Sequence, residues 1–390
     1  MLARVCVQRA RHLSKLARGY QSTIDPMSVE VHKTTNPKSK VALDDLVFGH
    51  TFSDHMLEVD WDIENGWHNP VIKPHGPLQL DPAAPCLHYG IECFEGMKAY
   101  KDAEGNVRMF RPDKNMERLN NSMARVAMPR FNGNGFIECM KHLLRIDESW
   151  VPQSDRDGFS LYLRPTAIGT NANLGVTSPT QAKLYCITSP SGPYYKSGFG
   201  PIKLLADTEN VRAWPGGVGN SKLGGNYGPT LVPQAKAAKE LDCQQILWLF
   251  GPDHHTTEVG AMNIFFIIKN KTSGKPELIT APLDRGDILP GITRISILEL
   301  ARNGRAGDID VSERDLPMAE VVEAAKDGRL MESFGAGTAA IISPVNCISY
   351  KGEDINVPTG DGIGPIAKQF WTILTDIQYG KVEHEWSVVV

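Results

Sequence analysis

Apolar positions along this chain recur with two different periods, and each change of period marks an element. Met116, Leu119, Met123 and Val126 fall on one face of a helix over Asn115 to Met128, and Ile137, Met140, Leu143 and Leu144 do so over Phe136 to Ile146. Met97 to Tyr100 and Val107 to Phe110 flank the polar run Lys101 to Asn106, which predicts a hairpin closed by a Gly-Asn turn. Leu184 to Thr188 reads as a strand. Downstream, strands over Ile202 to Leu205, Gln245 to Phe250, Asn263 to Ile268 and Glu277 to Thr280 are expected. They alternate with helices over Thr230 to Leu241, Ile292 to Asn303, Met318 to Ala325 and Ile366 to Ile377, a pattern that predicts a layered α/β lobe. Between the halves, Ser189 to Pro201 is punctuated by Gly and Pro and is the expected connection. The apolar runs Ile246 to Phe250 and Ile264 to Ile268 suit buried strands and are too short to span a bilayer.

Composition narrows the picture. A chain of 390 residues exceeds one typical domain, so two lobes are expected. A net charge of −4 leaves no basic field to hold nucleic acid. The seven cysteines include no Cys-x-x-Cys pair and no Cys/His cluster, so neither a zinc site nor a disulfide framework is expected, and metal ligands are absent from the reading. Met1 to Ile24 carries Arg4, Arg9, Arg11, Lys15 and Arg18 with no acid before Asp25. That is the composition of a presequence removed on import into the mitochondrial matrix; a disordered basic tail is the other reading. The expected organisation is a presequence and flexible N-terminus over 1–40, a small N-terminal domain over 41–192, a loop over 193–201 and a large C-terminal domain over 202–390.

The most unusual segment runs from Trp214 to Pro229, where a single lysine, Lys222, sits among six glycines. Glycine permits backbone angles and close approaches that other residues resist, so a lysine there can reach a ligand. A phosphate-cradling P-loop is excluded, because Ser221 precedes Lys222 and Leu223 follows it. No Gly-x-Gly-x-x-Gly leads from a strand into a helix, which excludes the dinucleotide fingerprint. A solvated surface loop remains open at this point. Glu258 lies just before an apolar strand, where a carboxylate is costly unless something pairs with it, and a pyridinium nitrogen is one such partner. Two glycine-bearing turns complete the set. Leu289-Pro290-Gly291 opens a helix whose free N–H groups can grip a phosphate, and Gly335 to Ala339 combines small residues with a hydroxyl suited to an anion.

In sequence these motifs resemble the branched-chain amino-acid aminotransferases. The resemblance rests on Gly224-Gly225-Asn226-Tyr227-Gly228-Pro229 after Lys222, Thr257-Glu258-Val259-Gly260 with Met262-Asn263, Leu289-Pro290-Gly291, and Gly335 to Ala339. Upstream, Leu87-His88-Tyr89, Phe94-Glu95-Gly96-Met97-Lys98, Phe110-Arg111-Pro112 and Leu161-Tyr162-Leu163-Arg164-Pro165 agree as well. The match runs from about Leu43 to the end, and the basic start is similar to the mitochondrial form. It implies an α/β (α+β) fold of the fold-type IV class: a small α/β lobe, a larger lobe with barrel-like β structure, and a homodimer. The implied cofactor is pyridoxal 5′-phosphate (PLP), joined to Lys222 as a Schiff base, with Glu258 facing the ring nitrogen and Tyr227 the phenolic oxygen. Arg118, the backbone of Ile292 and Thr293, and Thr338 would hold the phosphate.

The same resemblance implies a pocket of Phe48, Phe94, Tyr162, Tyr194 and Tyr227 for leucine, isoleucine or valine, with Thr338 and Ala339 presenting N–H groups to the substrate carboxylate. Tyr89, Arg164 and Val176 would join it, some from the neighbouring subunit, and Arg164 would take the distal carboxylate of glutamate or 2-oxoglutarate. The implied reaction passes the amino group to 2-oxoglutarate, in branched-chain amino-acid catabolism or biosynthesis. Other fold-type IV enzymes (a D-amino-acid aminotransferase or an aminodeoxychorismate lyase) and a non-catalytic PLP carrier are the rival readings. Two positions depart from the mitochondrial vertebrate pattern. Ala340 and Ser343 stand where that form has a Cys-x-x-Cys, so no thiol switch is expected, and Ala261 replaces a threonine.

Overall fold

The strand-forming segments pair into two sheets. The computed structural model describes residues 23–153, 156–193, 200–360 and 362–390. The first sheet takes β1 (Glu30–Val31), β2 (His55–Asp62), β3 (Gly66–Trp67), β4 (Val71–Pro74), β5 (Glu92–Phe94), β6 (Met97–Lys101), β7 (Val107–Phe110), β8 (Ser160–Gly169) and β9 (Gln181–Ser191). The second takes β10 (Ile202–Asp207), β11 (Gln245–Phe250), β12 (His255–Val259), β13 (Met262–Lys269), β14 (Pro276–Thr280), β15 (Asp310–Glu313), β16 (Leu330–Gly337), β17 (Ile341–Tyr350) and β18 (Glu353–Asn356). The last strand, β19 (Ser387–Val389), returns to the first sheet and pairs with β7.

In the second sheet β12 pairs with both β11 and β13, so β10, β11, β12, β13, β16 and β17 close into a ring. Closure satisfies strand edges that would otherwise be open to other chains. The apolar run of β13 follows from burial on both faces. Ile264, Phe266 and Ile268 enter one core with Val321 and Ala324 of the Met318–Lys326 helix. Phe265 and Ile267 enter another, with Ile297 of the Ile292–Arg302 helix and Phe370 of the Pro365–Gln378 helix. Each such side chain, wholly removed from water, is worth about 1.5–3 kcal/mol. That second core also takes in Tyr100 and Phe110 of the first sheet, so the two halves share apolar packing.

The expected helices and hairpin form within a few residues of their anticipated ends. Asn132 caps the Gly133–Ile146 helix, its side chain accepting from Asn134 N–H. The Pro112–Arg125 helix begins with proline, whose fixed φ suits a first turn.

Four expectations need correction. Ile24 is buried in the first core and β1 pairs with β4, so residues from 23 onward belong to the fold, and the flexible start does not extend to residue 40. Apolar contact by one isoleucine leaves no periodic trace. Ser189 to Ser191 continue β9 before the Gly/Pro-rich connection, because Pro190 has no N–H to give but lies within a ladder opposite Leu161. Phe334 to Gly337 end a strand, with the turn left to Thr338, Ala339 and Ala340. Thr256 to Val259 form a strand, not a loop ahead of one. Cys86, Cys93, Cys139, Cys186, Cys243 and Cys347 are free thiols. Among the described residues no helix is long and apolar enough to cross a membrane, and no metal-ligating cluster occurs.

Candidate active site

Lys222 stands on the glycine-rich connection from β10 to the Leu231–Leu241 helix. Its Nζ donates to the Tyr227 hydroxyl at 3.0 Å and lies 4.7 Å from the centre of the Phe94 ring. Local bonds hold the loop. Asn226 Nδ2 donates to the carbonyls of Val218 and Ser221, both at 2.9 Å, closing the segment on either side of the lysine. Phe94 packs on Tyr227 with ring centres 5.1 Å apart. The surface-loop reading of this segment therefore fails, since Asn226, Ser221 and Leu223 are buried.

Glu258 is buried in β12, opposite Trp248 of β11 and Asn263 of β13. Its carboxylate accepts from Leu289 N–H at 3.0 Å and from Asn263 Nδ2 at 3.1 Å, and it is ion-paired with Arg212. Burial pushes the carboxyl upward from the usual range, and the Arg212 guanidinium, the Leu289 N–H and the Lys222 charge oppose it. A solvated loop glutamate is thereby ruled out. Arg212 was missed in the sequence, because nothing in its surroundings there distinguishes it from a surface arginine. Its Nε is buried and has no partner among the described residues, which leaves it a donor to offer.

The turn at Leu289 and Pro290 is where several of these groups meet. Leu289 N–H bonds Glu258, and Leu289 C=O accepts from Asn263 Nδ2 at 2.8 Å. Pro290 C=O accepts from Arg118 Nη1 at 3.0 Å. A Cβ on Gly291 would overlap the Asn263 side chain, so only glycine allows this approach. Gly291 then opens the Ile292–Arg302 helix, and the N–H groups of Ile292 and Thr293 lie in its first turn, where no intrahelical carbonyl exists for them. Arg118 reaches this turn from the first lobe. Glu95, fully buried, grips it with both oxygens, at 2.7 and 2.8 Å, and accepts from Asn115 Nδ2 at 2.7 Å. In the sequence Glu95 is one residue of the Phe94 to Lys98 motif, and only the adjoining glycine hints at its tight surroundings.

The remaining aromatic residues form one wall. Phe48 meets Tyr162 edge-on with ring centres 4.9 Å apart. Arg164 Nη2 donates to the Tyr162 hydroxyl at 3.3 Å, and its Cζ is 4.8 Å from the Phe94 ring centre. Arg164 Nε is buried without a partner among the described residues. A Cβ on Gly96 would overlap the Tyr162 hydroxyl, and the Gly96 carbonyl accepts from Thr338 Oγ1 at 3.4 Å, so this wall abuts the Thr338–Ala340 turn. Ala339 C=O accepts from the buried Lys98 Nζ at 2.7 Å. Tyr89 and Val176 are placed elsewhere in the chain and are exposed, as are Leu87 and Leu174, and the Tyr89 hydroxyl bonds the Leu174 carbonyl. Tyr194 lies outside the described residues. Ala261 is exposed in the tight turn from β12 to β13, and Ser343 is buried in β17 opposite Gly335.

The amino-transferase class IV family matches residues 92–345. A branched-chain-amino-acid aminotransferase of Monosiga brevicollis is 50% identical over 370 residues, covering 95% of this chain and 93% of its own. The mitochondrial and cytosolic forms of Saccharomyces cerevisiae are each 48% identical over 371 residues and cover 94% of this chain, with 93% and 98% of their own length matched. Among solved structures, the Escherichia coli branched-chain amino acid aminotransferase superposes with a TM-score of 0.67 at 24% identity, over 86% of this chain and 98% of that one. The PLP-form of the branched-chain amino acid aminotransferase from Thermobaculum terrenum does so with 0.65 at 22% identity, over 86% and 98%.

Proposed function

This chain belongs to the class IV aminotransferases, and on that footing we propose that Lys222, Tyr227, Glu258 and Arg118 serve PLP in moving the amino group of leucine, isoleucine or valine to 2-oxoglutarate. The observation that carries the reading is the Lys222 amine held 3.0 Å from the Tyr227 hydroxyl, in a site that also contains the buried Glu258. The residues fit the cofactor group by group. Lys222 suits an aldehyde carbon, Tyr227 a phenolate oxygen, Glu258 a pyridinium nitrogen, and Arg118 with the first-turn N–H groups of Ile292 and Thr293 a phosphate. Thr338 adds a hydroxyl beside that site.

When bound, PLP supplies an electron-withdrawing ring that stabilises negative charge at the substrate Cα. The protein does the rest. The Lys222 amine would take the proton from the substrate Cα and deliver it to C4′ of the cofactor. Glu258 keeps a proton on the ring nitrogen, and its bonds to Leu289 and Asn263 hold the carboxylate in place. Phe48, Phe94, Tyr162 and Tyr227 exclude water from a branched side chain, with Tyr194 as a further proposed member of that wall. Arg164 has donor capacity at Nε unused among the described residues and is the group for the distal carboxylate of 2-oxoglutarate. Thr338 and Ala339 N–H groups receive the α-carboxylate.

The exposure of Leu87, Tyr89, Leu174 and Val176 supports a homodimer in which Tyr89 and Val176 complete a neighbour's pocket. The proposed domains are a small one ending near 192 and a large one from 202, joined over 193–201. The basic composition of residues 1–22 supports delivery to the mitochondrial matrix, and a fluorescent fusion lacking them is expected to stay in the cytosol.

Borohydride reduction of the holoenzyme followed by peptide mapping tests the reading. Cofactor mass on the Lys222 peptide is expected, and label on another lysine overturns it. A panel of amino acids, read by loss of the bound aldehyde's absorbance, should rank L-leucine, L-isoleucine and L-valine far above D-leucine.

A further inference from the structure

Lys222 belongs to the second half of the chain, yet its main chain is held by the first. Its N–H donates to Ser122 Oγ at 2.8 Å, and its C=O accepts from Phe94 N–H at 3.1 Å. Two residues on, Gly224 N–H donates to the Glu92 carboxylate. The next side chain, Leu223, is buried in the apolar core of the first lobe, with Leu57, Leu119 and Met123.

Each anchor is itself fixed. Ser122 is wholly buried on the Pro112–Arg125 helix, whose Leu119 and Met123 enter that same core. Glu92 lies on β5, paired with Ile168 of β8. The approach at Gly224 is tight enough that a Cβ there would overlap Glu92 Oε1. Burial pushes the Glu92 carboxyl upward, and the Gly224 N–H and the Arg164 charge oppose it, so the carboxylate is answered on both sides.

We propose that Ser122 and Glu92 are positioning residues that set, from the opposite lobe, where the Lys222 amine stands. The inference rests on Lys222 being the reacting lysine. A lysine side chain is long and freely rotating, so the reach of its amine depends on where its Cα is held. The surrounding loop is rich in glycine, and its own bonds, those of Asn226 Nδ2 and of the Ser221 and Asn226 N–H groups to the Val218 and Leu223 carbonyls, set its internal shape but not its place against the first lobe. Placement within a fraction of an ångström is what proton transfer at carbon demands, and a shift of about 1 Å costs on the order of 100-fold in rate. Anchors on the main chain of Lys222 and of Gly224, two residues on, meet that demand without touching substrate.

The test compares Ser122→Ala, Ser122→Thr, Glu92→Ala and Glu92→Gln in the holoenzyme. Three readings are taken on each: borohydride-trapped cofactor on the Lys222 peptide, the single-turnover rate of converting bound aldehyde to amine with saturating leucine, and KM for leucine. The alanine variants are expected to keep the trapped label and lose roughly 10- to 100-fold in single-turnover rate, with KM changed less than about threefold. The threonine and glutamine variants, which keep an acceptor oxygen, recover most of the rate. Alanine variants within about twofold of wild type overturn the proposal, and so do threonine and glutamine variants that fall as far as alanine. If Ser122→Ala does not fold, the half-buried Glu92 pair decides the matter alone. Absence of label on Lys222 in the wild type overturns the functional reading together with this inference; label present with rates unchanged overturns the inference only.

Discussion

A carboxylate withdrawn from water needs donors, and Glu95 shows how many. Its oxygens take two bonds from Arg118 and one from Asn115, so the pair is neutral and fully engaged. Glu95→Gln strands the Arg118 charge in a buried site, and breaking such a pair costs about 3–5 kcal/mol. Thermal unfolding of the variant should show a fall of that order, with weaker cofactor binding, because Arg118 loses the grip that aims it at Pro290. Lys98 poses the opposite problem. Among the described residues its ammonium bonds the Ala339 carbonyl, and burial lowers its pKa from 10.5 to about 8. Between those values the folded state binds fewer protons than the unfolded one, so this group makes stability rise with pH from about 8 to 10.5 and penalises the fold in full below about 8. Urea titrations of Lys98→Met across that window should show a shallower rise than wild type; an identical slope would refute the assignment.

Elements act by carrying such residues to a common turn. β12 and β13 bring Glu258 and Asn263 face to face, and both bond the peptide of Leu289. The Pro112–Arg125 helix brings Arg118 to the next carbonyl, Pro290. The turn that opens the Ile292–Arg302 helix is thus tied to the Glu258 carboxylate, which links the proposed phosphate contacts to the proposed ring-nitrogen contact. Gly291→Ala would push Asn263 away and disturb both ties. Loss of one buried bond, about 1–3 kcal/mol, corresponds to roughly tenfold or more in affinity, and fluorescence titration with PLP should register it. Elements with strong local periodicity were readable in advance. The Asn115 to Met128 and Ile292 to Asn303 patterns appear as the Pro112–Arg125 and Ile292–Arg302 helices. β2, β8, β12 and β16 were not, since Pro165 interrupts β8, and glycine and threonine at the ends of β16 and β12 read as turns.

For the molecule as a whole, the halves are joined by more than a connecting loop. β19 crosses back to β7, Trp386 stacks under Arg111 at 4.3 Å, and the Tyr379 hydroxyl donates to Phe159 C=O at 2.8 Å. The lysine clamp between Ser122 and Glu92 needs this rigidity, because a hinge there would move the amine relative to its anchors. On the outer face, Leu174 and Val176 are 66% and 77% exposed, more than isolated apolar residues explain when Leu87 and Tyr89 are exposed as well. Leu174→Asp should shift the protein from dimer toward monomer in sedimentation velocity, with loss of activity following dissociation. A wild-type chain that sediments as a monomer would remove the dimer and the shared pocket with it.

Residue order alone established the α/β character and most helices, and it singled out the glycine-flanked Lys222, Glu258 and the Leu289–Gly291 turn as candidates. Those signals are local: a helical period, a glycine where a side chain would clash, a carboxylate beside an apolar run. Folding in three dimensions chose Arg212 as the companion of Glu258, Glu95 as the companion of Arg118, and Ser122 and Glu92 as the anchors of Lys222. It also closed the barrel and returned the last strand to the first sheet. The Glu92–Gly224 bond alone joins residues 132 positions apart, and such pairings often run through main-chain groups that every residue type carries. No periodicity encodes such a partner, because only the packed chain determines which peptide group a buried side chain meets.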